Sequence, residues 1–173
     1  AAPAPAGGAE VRPPAVPPPR AGAGASAVTE GELRAWGEAL GRATHPPLVI
    51  ALVGELGAGK TTLVQAICRG YGVTDDVTSP TFALVQQYAA PASPVYHLDL
   101  YRLRSPSELA QLGWDELMAE RALVIVEWPE RAGSLFPADH LLIELRHLPD
   151  DPGRRLLLAG GHRGAEAFGG DEA

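Results

Sequence analysis

LVIALVGELGAGKTTLVQAI, Leu48 to Ile67, decides how the rest of the chain is read. Leu48 to Val53 is a short unbroken apolar run, the pattern of a parallel strand buried on both faces. It enters a glycine-rich turn, and Lys60 to Arg69 reads as a helix closed by Gly70 and Gly72. Gly54, Gly59, Lys60 and Thr61 satisfy G-x-x-x-x-G-K-S/T with a strand before and a helix after, the context that motif requires. Glycines let the backbone over Gly54, Glu55, Leu56, Gly57, Ala58 and Gly59 wrap closely, so that successive N–H groups surround phosphate oxygens. The helix start adds its positive dipole end. Thr61 offers a hydroxyl to Mg²⁺, and Lys60 is a compact charge on a flexible stem, suited to β- and γ-phosphates. Lys60 is the only lysine among the 173 residues; the other thirteen basic residues are arginine. Arginine replaces lysine readily on a surface, but its broad planar fork does not fit so narrow a nest.

The length is one domain's worth of chain. Hydrophobic residues make up 46% of it, yet no run reaches the ~20 apolar residues of a membrane helix. A net charge of −7 argues against a broad electrostatic grip on nucleic acid, which needs clustered Lys and Arg. Cys68 is the single cysteine, which excludes an internal disulfide, fits a reducing compartment and reads as a small buried hydrophobe.

Residues 1–27 are mostly Ala, Pro and Gly and read as a disordered tail; residues 160–173 read as a second flexible tail. Between them, 28–159 form one domain. TEGE at Thr29 to Glu32 fits a capping box, followed by Leu33, Trp36 and Leu40 at helical spacing. Phe82 to Tyr88, Val95 to Asp99 and Leu123 to Val126 read as strands, and Ser107 to Leu112 and Asp115 to Arg121 as helices. Leu141 to Arg146 and Arg155 to Leu158 flank DDPG as a hairpin. This alternation predicts an α/β fold of the P-loop type, a three-layer sandwich with a mixed, partly antiparallel central sheet.

In such a sheet the groups that handle metal and water lie just past the carboxyl ends of neighbouring strands. LVIVEW puts Glu127 there; most such strands end in Asp, but the longer arm of Glu still reaches Mg²⁺ or a water on it. In YHLDLYRL, Tyr96 to Leu103, a strand places His97, Asp99 and Tyr101 on one face. That is either a polar site or the solvated face of an edge strand. TSPTF, Thr78 to Phe82, is either a plain turn or a segment that senses the γ-phosphate. No asparagine occurs, so the N-K-x-D motif of guanine readers is excluded and ATP is favoured. A metabolite kinase, or a module whose nucleotide only sets conformation, are the alternatives on these motifs.

GELGAGKTT, VTSPTFALV, YHLDLYRL and VEWPER, in this order between Thr29 and Ala159, together resemble the TsaE (YjeE) family of bacterial threonylcarbamoyladenosine synthesis. The resemblance implies a cytoplasmic Mg²⁺-dependent ATPase, slow alone, that works with TsaB and TsaD and resets them between rounds of tRNA modification. It would meet tRNA only through those partners, and no membrane. It implies Lys60, Asp99 and Glu127 as the catalytic group and Thr61, Glu127 and Asp99 as metal ligands. Thr62 becomes a further phosphate contact, Thr81 the switch residue, and Trp128 a functional residue where composition alone favours the core. Glu30 and Arg154 would contact the base, with the guanidinium stacking on adenine.

Overall fold

The computed structural model describes residues 25–80 and 84–160. Thr29 ends the first strand, β1 (Ala25–Thr29), and caps the first helix, α1 (Glu30–Ala43). Its hydroxyl accepts the Glu32 N–H at 3.2 Å, and the Glu32 carboxylate accepts the Thr29 N–H at 3.4 Å. This is the reciprocal box that TEGE predicts. The order continues as β2 (Leu48–Gly54), α2 (Lys60–Tyr71), β3 (Val85–Tyr88), β4 (Val95–Asp99) and α3 (Trp114–Ala119). It closes with β5 (Leu123–Glu127), β6 (Leu141–His147) and β7 (Arg154–Gly160). Two 3-10 helices, Pro106–Leu112 and Pro129–Leu135, flank α3 and β5.

The described strands form one sheet in the order β1-β7-β6-β2-β5-β4-β3. β2 runs parallel to β5 and β6, and β4 parallel to β5; β3, β7 and β1 join antiparallel. Leu40, Leu63 and Ile67 of α1 and α2 pack on Ile50, Leu52, Leu123 and Ile125 on one face. Leu109, Trp114 and Phe136 pack on Leu98, Val124 and Val126 on the other. The expected three-layer P-loop sandwich with a mixed sheet is therefore what the chain forms.

Several boundaries differ from the sequence reading. Gly70 does not end its helix. A Cβ there would lie 2.0 Å from the Glu38 carbonyl oxygen, and one on Gly41 would lie 2.1 Å from that of Ile67. Both glycines serve the close approach of α1 to α2, and the stop is Gly72, with φ at +104°. The helix expected from Asp115 to Arg121 starts at Trp114 and ends at Ala119, and the one before it is 3-10 from Pro106. β3 begins only at Val85; Phe82 and Ala83 lie outside the described residues.

Ala25 to Ala27, read as tail, pair with Leu158, Leu157 and Leu156 of β7 and so belong to the domain, as does Gly160 at the other end. A five-residue strand of small side chains carries too weak a pattern to stand out beside an Ala/Pro/Gly-rich segment. The rest of both expected tails, residues 1–24 and 161–173, falls outside the described residues. Among the described residues no helix is long and apolar enough to cross a membrane.

Candidate functional site

The glycine-rich turn joins β2 to α2 at the centre of the sheet. Gly57 and Gly59 take φ of +76° and +103°, conformations that side chains with a Cβ rarely adopt. Ala58 N–H donates to the Glu55 carbonyl at 3.1 Å, which tightens the turn. Glu55 and Leu56 point outward, and a ring nitrogen of His147 at the end of β6 lies 3.2 Å from the Leu56 carbonyl.

Lys60 is buried at 7% exposure, and its ammonium donates to the Gly54 carbonyl at 2.6 Å. Burial pushes its pKa below the ordinary value, while the charges of Glu127, Asp99 and Glu130 pull it back up. Thr61, next on α2, has its hydroxyl 2.7 Å from that of Ser79. The TSPTF segment therefore touches the loop directly, through a serine the sequence reading did not single out. The expected switch residue, Thr81, lies outside the described residues.

β4 and β5 supply the carboxylates. Alternation puts Leu123, Ile125 and Glu127 on the face that α1 and α2 cover, and Val95, His97 and Asp99 beside them. Asp99 and Glu127 are register partners, and His97 pairs two positions earlier, with Ile125. β4 lies between β3 and β5, so the edge-strand alternative for HxDxY does not hold. His97 is fully buried, with Nε2 2.8 Å from Glu127 Oε2. Glu127 is itself 4% exposed, so it is no solvated strand-end carboxylate. Burial pushes the Asp99 carboxyl up. The N–H of Tyr101 bonded to it lowers it again, Glu127 opposes that, and His97 and Lys60 lower it further.

Trp128 adopts φ +55°, ψ +50°, the left-handed region, immediately before Pro129. A non-glycine residue held there stores strain, as occurs at sites where surroundings fix a geometry. The turn carries the indole back over the loop, with Lys60 Nζ 4.2 Å from its ring centroid, a cation–π contact. Tyr101 packs against it with centroids 5.0 Å apart, and the Arg131 guanidinium lies 5.9 Å from the Tyr101 ring. Tyr101 has therefore left the strand face predicted for it and joined an aromatic stack. Arg131, the last residue of EWPER, was readable only as one arginine among many.

Gly54, Lys60, Thr61, Asp99, Glu127 and Trp128 thus meet at the carboxyl ends of three parallel strands. Glu30 and Arg154 form a separate group at the start of α1. Glu30 pairs with Arg34 at 2.9 Å, and Arg154 reaches Glu32 at 3.4 Å and Asp151 at 3.6 Å. The two groups adjoin through Leu33, whose Cδ2 would lie 3.4 Å from a Cβ on Gly59. Cys68 is remote from this chemistry: burial pushes its thiol up to about 12.

The loop, Lys60 and the helix start can hold a phosphate chain. Among the described residues no three His, Cys, Asp or Glu side chains converge as a ready metal cage. That donor set fits Mg²⁺, which binds through one or two carboxylates, a hydroxyl and substrate phosphates. Thr61, Glu127 and Asp99 are the hard-oxygen side chains that could hold it.

A family model described as threonylcarbamoyl adenosine biosynthesis protein TsaE matches residues 27–156. The tRNA threonylcarbamoyladenosine biosynthesis protein TsaE of Bacillus subtilis is 36% identical over 118 residues, 68% of this chain and 73% of that protein. Its namesake in Rickettsia bellii is 36% identical over 124 residues, 71% of this chain and 85% of that protein. The crystal structure of Bacillus subtilis YdiB superposes with a TM-score of 0.64 at 28% identity, covering 78% of this chain and 82% of that one.

Proposed function

The chain belongs to the TsaE family of threonylcarbamoyladenosine biosynthesis, and from that premise we propose that it binds and hydrolyses ATP in the service of a TsaB–TsaD pair. The observation that carries this reading is the meeting of Lys60, Glu127 and Asp99 beside the loop, on the one sheet face that α2 covers. The N–H groups from Gly54 to Thr62 and the Lys60 ammonium hold the phosphates. Thr61, Glu127 and Asp99 would hold Mg²⁺, which would supply positive charge to offset that of the phosphates. Asp99 or Glu127, opposite one another in the strand register, orients the attacking water. Ser79, bonded to Thr61, ties the TSPTF segment to occupancy of the phosphate site. Glu30 and Arg154 flank the base, and Trp128 covers Lys60 from outside.

The family's role gives this hydrolysis its purpose: resetting the partner pair in the cytoplasm between rounds, with tRNA met only through the complex. The test is phosphate release from ATP, by the protein alone and with a matched TsaB–TsaD pair. A slow basal rate that rises with the partners is expected. Phosphate appearing on a small-molecule acceptor would replace this reading with a kinase. Tight binding without release, partners present, would replace it with a nucleotide sensor.

A further inference from the structure

His97 is fully buried on β4, yet it is polar on both ring edges. Nε2 sits 2.8 Å from Glu127 Oε2, and Nδ1 has no hydrogen-bond partner among the described residues. A buried imidazole with one edge unsatisfied is a costly way to fill a core position between Val95 and Asp99. An ionised carboxylate only accepts, so the shared hydrogen belongs to Nε2, and among the described residues the ring's one hydrogen bond is to Glu127. The parallel register explains its placing. Asp99 stands opposite Glu127, while His97 stands opposite Ile125, two residues deeper along the strands. His97 therefore holds the Glu127 carboxylate from the sheet side, by one oxygen, across 30 residues of sequence.

Resting on the metal-dependent reading above, we propose that His97 is a positioning residue: it fixes the rotation of the Glu127 carboxylate so that the other oxygen, Oε1, is presented to the metal. A carboxylate free to rotate would spend part of its time turned towards Lys60, whose charge acts on it. Fixing one oxygen removes that alternative before metal arrives, which is how outer-shell hydrogen bonds raise metal affinity.

The test uses the full chain and a non-hydrolysable ATP analogue, titrated with MgCl₂ in a calorimeter. Wild type, His97→Leu and His97→Gln are compared. Leucine fills the space without a donor; glutamine restores one. His97→Leu is expected to raise the Mg²⁺ concentration for half-maximal tight binding by about tenfold to a hundredfold. Binding of the analogue without Mg²⁺ should not change, and His97→Gln should recover most of the loss. Equal Mg²⁺ midpoints in wild type and His97→Leu would overturn the proposal and leave His97 a core residue. If wild type itself shows no Mg²⁺ dependence, the metal-dependent reading fails first, a distinguishable result. Should His97→Leu not fold, ¹⁵N spectra of the wild-type imidazole decide the matter. A hydrogen on Nε2 whose resonance moves in Glu127→Gln supports the proposal; the Nδ1 tautomer, or no movement, overturns it.

Discussion

The two faces of the sheet are built from the same strands and end differently. Towards α1 and α2, β4 and β5 read Val95, His97, Asp99 and Leu123, Ile125, Glu127; away from them they read Tyr96, Leu98 and Val124, Val126. One face stays apolar to its upper edge and goes on into the Trp114 and Phe136 layer. The other turns polar in its last two rows, directly under the glycine-rich loop. Period-two alternation thus sorts structure from chemistry within single strands. His97 and Glu127 are buried on this core face and Asp99 is half-buried, so the charges there are poorly hydrated.

The sharpest way to break this contrast is to alter neighbours two residues apart on β5. Ile125→Ala removes a fully buried side chain below the site. It should cost about 3 kcal/mol in denaturant unfolding, with nucleotide binding by the folded fraction unchanged. Glu127→Gln, one row up, should do the reverse: partner-stimulated phosphate release falls about a hundredfold, the scale of losing one preorganised charged group, with little change in unfolding midpoint. If both variants lose stability equally, the division between rows is wrong.

Asp99→Asn sharpens it further. The folded pKa of Asp99 is raised, so its carboxylate form weighs against folding at neutral pH. That penalty is absent below the unfolded pKa and sets in as pH rises through the folded one. The variant should gain about 1 kcal/mol at pH 7, a gain typical of relieving a functional site, and lose activity. The gain should shrink as the pH falls and Asp99 protonates in wild type. Thermal melts across pH check this, and a gain independent of pH would sink it. The smallest effect lies outside the contrast: Thr29→Ala removes the α1 cap and should cost about 1 kcal/mol without touching turnover.

What could be read in the sequence was whatever local spacing carries. The loop announced itself because Gly54, Gly59, Lys60 and Thr61 fall within eight consecutive residues. Glu127 was readable because a buried strand points its next residue at the site. The His97–Glu127 bond was not, because it depends on which strand lies beside β4 and in what register, and alternation alone gives only the face. Ser79 and Arg131 escaped for a related reason: their partners, Thr61 and Tyr101, come from elements that meet only in the folded chain. β1 was hidden by its composition, since ASAVT becomes a strand only when β7 offers it an edge.

The central claim is that nucleotide phosphates sit on the loop, under Lys60. It is tested most directly by calorimetric titration of ATP, with Mg²⁺ present, into wild type and Lys60→Ala. The account predicts saturable binding to wild type and at least about a hundredfold weaker binding to the variant, the loss expected when a buried charge-assisted contact is removed. Equal affinity in the two proteins would contradict it and put the nucleotide elsewhere.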